Sequence, residues 1–179
     1  MICDRWQACV KSQFIEGTLP ICVNQNRDHC IESSDCRSKV KCEEKRKRYI
    51  LENTKKERVL CYKMDGGIIL QDRLVPEGTC KCDYVLFTGG LKGKVILVEL
   101  KGVDVAHALK QLSGTLLLFR TFFQTFSQVH GRIVVTSMAP NIKATPDYVN
   151  LVRFLRKNFH GTIKITEREL MEKDIELGE

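Results

Sequence analysis

Lys94-Val-Ile-Leu-Val-Glu-Leu-Lys101 sets Val95, Leu97, Glu99 and Lys101 on one side of an extended chain and Ile96, Val98 and Leu100 on the other. Both sides are apolar until the end, so the stretch predicts a strand covered on both faces, in the middle of a sheet. A carboxylate and an ammonium emerging together at its C-terminal end need a partner or a task, because neither leaves water without cost. Upstream, Lys81-Cys-Asp-Tyr-Val-Leu-Phe87 reads as a second strand, separated by the turn residues Gly89, Gly90 and Gly93. Antiparallel pairing of the two brings Asp83 beside Glu99 and Lys101.

Two acids and a lysine converging in this way suit a divalent cation. Carboxylates and a backbone carbonyl are hard oxygen ligands for Mg²⁺ or Mn²⁺, and a neighbouring ammonium can orient a water and offset charge on a phosphate in the transition state. The plain alternative is an ion pair between Glu99 and Lys101 at a sheet edge, with Asp83 as a turn residue.

The rest of the chain supplies a frame. Residues 39–57 read as a charged helix, with Val40, Glu44, Lys47 and Leu51 along one side. Its basic run, Lys45, Arg46, Lys47 and Arg48, is either a solvated face or a phosphate-contacting one. Strands are expected at 58–63 and 66–70, joined by an Asp65-Gly66 turn, and at 81–87 and 94–101. Asp104 then caps a long helix whose stripe, Val105, Leu109, Leu112, Leu116, Phe119, Phe123 and Phe126, runs unbroken in steps of four and three. His130-Gly131 breaks the pattern before a strand at 132–136, which Pro140 and Asn141 end. Thr145-Pro146 opens an amphipathic helix stopped at Gly161, and a strand at 162–166 precedes an acidic tail.

This order predicts an α/β fold: a mixed central sheet, an antiparallel meander plus crossover strands, flanked by helices. Two parts are expected, a cysteine-rich N-terminal segment at 1–38, which shows neither helical nor strand period and reads as irregular or partly helical, and one packed unit at 39–179.

Composition narrows the function. The 179 residues are 43% hydrophobic and 28% charged, so the chain is globular, and a net charge of +7 favours anionic partners such as nucleic acid. No apolar run approaches the roughly 18 residues of a membrane span, and the first residues lack a secretory pattern, so the expected address is the cytoplasm, with no membrane contact. Nine cysteines lie within the first 82 residues, an odd count that argues for reduced thiols. A zinc site built from His29, Cys30, Cys36 and Cys42 is a minor alternative, since no Cys-x-x-Cys pair is present. Phosphate-cradling, nucleophile-elbow and dinucleotide motifs are absent from the sequence, which sets aside nucleotide hydrolysis and hydride transfer.

Asp83 followed by Glu99-Leu100-Lys101, in the order helix, three-stranded meander, helix, strand, resembles the PD-(D/E)XK nuclease superfamily over about residues 40–166. The resemblance implies a restriction endonuclease-like core in which Asp83, Glu99 and the Leu100 carbonyl bind metal and Lys101 activates water. It further implies a glutamate from the first helix, for which Glu44 is the candidate and Glu43 its rival. A polar residue from the helix after the motif is also expected, Gln111, with His107 as its neighbour; either one can instead lie on the solvent side of that helix. Cys82 stands where the proline of the motif's name is expected. The implied activity is hydrolysis of phosphodiester bonds, in DNA, by a chain that can act as a homodimer or with a protein partner. The competing expectations are an inactive nuclease-fold module that binds nucleic acid or assembles with a partner, and a zinc-containing adaptor.

Overall fold

The computed structural model describes residues 4–15, 31–64 and 78–179. In chain order these form α1 (Asp4–Ile15), β1 (Ile31–Asp35), β2 (Lys39–Glu44), β3 (Lys47–Glu52), β4 (Val59–Lys63), β5 (Tyr84–Thr88) and β6 (Lys94–Lys101). There follow α2 (Val105–Leu118), α3 (Arg120–Phe123), β7 (Gln128–Val135), α4 (Pro146–Phe159), β8 (Ile163–Glu167) and β9 (Glu169–Lys173). The expected Asp65-Gly66 turn and the strand at 66–70 lie outside the described residues.

Six strands make a mixed sheet in the order β1-β4-β5-β6-β7-β8. The first three pairings are antiparallel and the last two parallel. β6 is central, and its residues from Val95 to Leu100 are buried, as its two apolar faces require. Among the described residues the helices cover one face only. Trp6, Val10, Leu109, Leu112, Leu116, Phe123, Leu151 and Leu155 pack there against Leu60, Tyr62, Val85, Phe87, Val95 and Leu97. The other face, with Cys61, Leu86, Ile96, Val98 and Val134, is covered by a second sheet of three strands, β2-β3-β9, through Val40, Cys42, Tyr49 and Leu51. The molecule is an α/β protein of three layers, and the expectation of flanking helices holds on one side.

The helix expected at 39–57 is a β-hairpin. Exposed and buried residues alternate along β2, with Val40 and Cys42 turned inward, and this period of two outweighs the mixed polar and apolar spacing of four and three. Its tip is Lys45-Arg46, both at positive φ (45° and 67°), the twist that a two-residue hairpin needs. The acidic tail is also structured: β9 runs parallel to β3. A buried charge network ties the two sheets together, where Glu172 of β9 receives Arg132 of β7, the Tyr49 hydroxyl at 3.0 Å and Lys164 at 3.3 Å.

The described residues of segment 1–38 share the main core. Trp6, Cys9, Val10 and Gln13 recur at i, i+3, i+4 and i+7 and are all buried. The Trp6 ring meets Tyr62, Phe87, Phe119, Phe122 and Phe123 edge-on, with centroids 4.8–6.1 Å away. Gln13 accepts the Ser34 hydroxyl at 2.6 Å and β1 pairs with β4, so helix and strand are both built in.

The long apolar stripe is buried throughout, yet its helix ends at Leu118 and restarts as α3. His130-Gly131 lies inside β7 rather than before it. His130 is fully buried with Nδ1 accepting the Thr162 N–H at 3.2 Å, and a Cβ on Gly131 would stand 3.0 Å from Leu112. The strand expected from 81 begins at Tyr84, because the residues before it are drawn onto α2. α4 keeps its Thr145 cap, and its stop is His160 in the left-handed conformation; Gly161 follows, where a Cβ would meet the Val129 carbonyl at 1.6 Å. No helix among the described residues is long and apolar enough to cross a membrane.

Candidate active site

The site lies where β6 ends and β5 begins. Tyr84 pairs with Val98 in the antiparallel ladder, so Asp83, one residue earlier, faces Glu99, one residue later. The two carboxylates share the face that α2 covers. Asp83 Oδ2 accepts the Leu100 N–H at 2.7 Å, which fixes one acid to the backbone beside the other. Lys101 Nζ lies 3.9 Å from Glu99 Oε1 and donates to Gln111 Oε1 at 2.9 Å. The Gln111 amide nitrogen in turn donates to the Lys81 carbonyl at 3.0 Å, so Gln111 links the lysine to the segment that leads into Asp83.

Burial separates the three charged groups. Glu99 is 1% exposed and its Oε2 has no hydrogen-bond partner, whereas the Lys101 side chain is 30% exposed. Desolvation, then the nearby Asp83 charge, pushes the Glu99 carboxyl up to about 8; Lys101 and the Asp83 backbone N–H oppose the rise, and Glu44 adds a little to it. A buried carboxylate oxygen without a donor, beside a second acid, is a place for a cation. The residues fit a hard divalent ion: Glu99 and Asp83 supply carboxylates, and the Leu100 carbonyl is the third candidate ligand. Among the described residues no group of three or more His, Cys, Asp or Glu side chains gathers at one point, so the acids number two.

The structure brings Asp83, Glu99, Lys101 and Gln111 together. Glu44 does not come from a helix: it ends β2, is exposed and lies 3.8 Å from Lys45, within electrostatic reach of Glu99. Glu43 is also exposed on β2. His107 is exposed on the first turn of α2, where its backbone N–H bonds the Asp104 cap. Lys45 and Arg46 form the exposed hairpin tip; Lys47 is 6% exposed and Arg48 pairs with Glu169 at 2.8 Å. The tip stands at the same edge of the molecule as the acids, since the Arg48 N–H bonds the Arg168 carbonyl and the Arg168 N–H bonds the Val135 carbonyl at the end of β7.

Of the expected zinc ligands, His29 and Cys30 lie outside the described residues. Cys36 is exposed, and Cys42 is buried between the sheets with its sulfur 3.7 Å from that of Cys61. Two residues of the site had no motif to announce them. Thr115 on α2 accepts the Cys82 N–H at 2.8 Å, and Gly114 lets that helix approach so closely that a Cβ would lie 2.2 Å from the Cys80 carbonyl. A small pair at one helix turn was the available signal. No protein-family model, curated protein or solved structure is significantly similar to this chain.

Proposed function

We propose that this chain is a metal-dependent nuclease that hydrolyses phosphodiester bonds in DNA, with Asp83, Glu99 and Lys101 at its centre. The observation that carries the reading is the facing pair Asp83 and Glu99, one oxygen of which is buried without a donor, with an ammonium 3.9 Å away. The order β4, β5, β6, α2, β7, with the first three strands antiparallel and the last parallel to β6, supports the likeness to PD-(D/E)XK nucleases and a restriction endonuclease-like core. The helix preceding the meander is then α1 rather than residues 39–57, and Cys82 replaces the proline.

When bound, Mg²⁺ or Mn²⁺ would supply Lewis-acid stabilisation of phosphate charge. Asp83 and Glu99 would hold it, with the Leu100 carbonyl. Lys101, half-open to solvent, orients the attacking water and offsets charge on the phosphoryl oxygens. Gln111 fixes the ammonium, since its side-chain oxygen receives it while its nitrogen is anchored on Lys81. Lys45 and Arg46 meet the phosphate backbone at the rim, where the chain's net charge of +7 favours an anionic substrate.

A second reading, a nuclease-fold module that binds nucleic acid without cutting it, is favoured by the exposed tip, where the Lys45 side chain is 83% exposed. The test is incubation of the protein with linear, circular, branched and single-stranded DNA in Mg²⁺, Mn²⁺ or EDTA, beside Glu99→Ala and Lys101→Ala. Cleavage that needs metal and vanishes in both variants is expected. Salt-sensitive binding with no cut product on any substrate would select the module instead.

A further inference from the structure

We infer that Thr115 is a positioning residue for the metal-binding acids, an inference that rests on the nuclease reading above. Its hydroxyl lies on the buried side of α2 and is fully out of water. The single proton goes to the Gln111 carbonyl at 2.9 Å, one helical turn back, which leaves the oxygen's lone pairs for the Cys82 N–H at 2.8 Å. Cys82 immediately precedes Asp83. Holding its amide fixes the peptide plane between Lys81 and Cys82, one residue before the Asp83 whose carboxylate reaches the Leu100 N–H at 2.7 Å.

Three contacts along one helix turn make the same join. Gln111 bonds the Lys81 carbonyl, Gly114 admits the Cys80 carbonyl, and Thr115 takes the Cys82 N–H. The entry to β5 is therefore docked on α2 residue by residue, at the helix that also holds Lys101. The Cys82 donor matters here: the proline expected at this position by resemblance has no N–H and could not make the bond to Thr115. In this chain a backbone donor at 82 and a hydroxyl at 115 set the separation of the two acids.

The test is Mn²⁺ binding to the full chain by titration calorimetry, with no nucleic acid present. Thr115→Val keeps the shape and removes the acceptor, and it should weaken Mn²⁺ affinity about tenfold, the effect of losing an outer partner of a metal ligand. Thr115→Ser should restore affinity to within about twofold. Hydrogen exchange at the Cys82 amide should speed up in Thr115→Val and recover in Thr115→Ser. Thr115→Ala serves as a second hydroxyl-free variant where the valine overpacks. Mn²⁺ binding that is lost in Asp83→Ala but unchanged in Thr115→Val and Thr115→Ala overturns the role of Thr115 and leaves the metal site standing. Wild-type protein that takes up no Mn²⁺ overturns both.

Discussion

Asp83 reaches across the ladder and holds the backbone N–H of Leu100 at 2.7 Å, so one candidate metal ligand anchors the strand that carries another. Charge and hydrogen bonding at Asp83 can be separated. Asp83→Asn keeps an oxygen for the Leu100 N–H but no negative charge, and it should lower metal-dependent cleavage about 100-fold or more while moving stability by less than about 1 kcal/mol. Asp83→Ala should lose activity and also stability, by about 1–2 kcal/mol. Kinetics on a DNA substrate with urea unfolding of both variants is the check. An asparagine variant as active as wild type would remove Asp83 from the chemistry.

Lys45 and Arg46 stand exposed at the tip, Lys47 is buried and Arg48 is paired with Glu169, so the four cations should not contribute equally to nucleic-acid binding. Replacing Lys45 and Arg46 with glutamine should weaken binding and reduce the slope of log affinity against log salt by about 1.8, the value for two lost phosphate contacts. Lys47→Gln should leave that slope unchanged. Fluorescence anisotropy on a labelled duplex across a salt series distinguishes them, and equal slopes for both variants would contradict the placement of the tip.

Trp6 ties α1 to the aromatic cluster beneath it. Trp6→Ala should cost about 3–5 kcal/mol, since a large ring leaves a cavity among side chains that cannot all collapse into it. Urea unfolding followed by circular dichroism measures this. A loss below about 1 kcal/mol would show that the helix does not stabilise the sheet.

His130 gives stability a pH dependence on the acid side. It is fully buried, with Nδ1 accepting the Thr162 N–H, so the proton sits on Nε2, which has no partner. Burial first, then Arg132, Lys94 and Lys164, lowers its pKa from 6.5 to about 3. Between those values the unfolded chain binds a proton that the folded chain does not, so this group's contribution is fully present above pH 6.5 and is lost as pH falls toward 3. The slope is up to about 1.4 kcal/mol per pH unit. His130→Asn can still offer an acceptor to Thr162 and should flatten the decline in melting temperature between pH 6.5 and 4. The same decline in both proteins would assign it to other groups.

Sequence pattern carried furthest where one period dominated. The two greasy faces of β6, the Asp104 cap of α2 and the Thr145-Pro146 start of α4 all stand in the structure, because burial and capping reinforce each other there. The hairpin at 39–52 escaped because its tip is Lys45-Arg46, with none of the Gly or Asn that usually marks positive φ, and because Val40 and Leu51 also satisfy a helical spacing. Residues 1–38 read as no more than irregular or partly helical because Gln13, a polar residue, completes the buried stripe of α1. At the site, the facing of Asp83 and Glu99 followed from strand alternation, and the placing of Gln111 from the resemblance. Thr115 and Gly114 could not be read, since their roles depend on how closely α2 approaches residues 80–82.

Tyr49 and Glu172 meet although they lie 123 residues apart in sequence, and β3 has its parallel partner in β9. A chain emerging from the ribosome would form the β2–β3 hairpin early and hold it unfinished until residue 173 had been made. Until then one edge of β3 stays unpaired, and the apolar face that carries Leu86, Ile96 and Val98 lacks its complete cover. Between the hairpin and its last strand, that open edge and uncovered face would favour aggregation and give a chaperone something to bind.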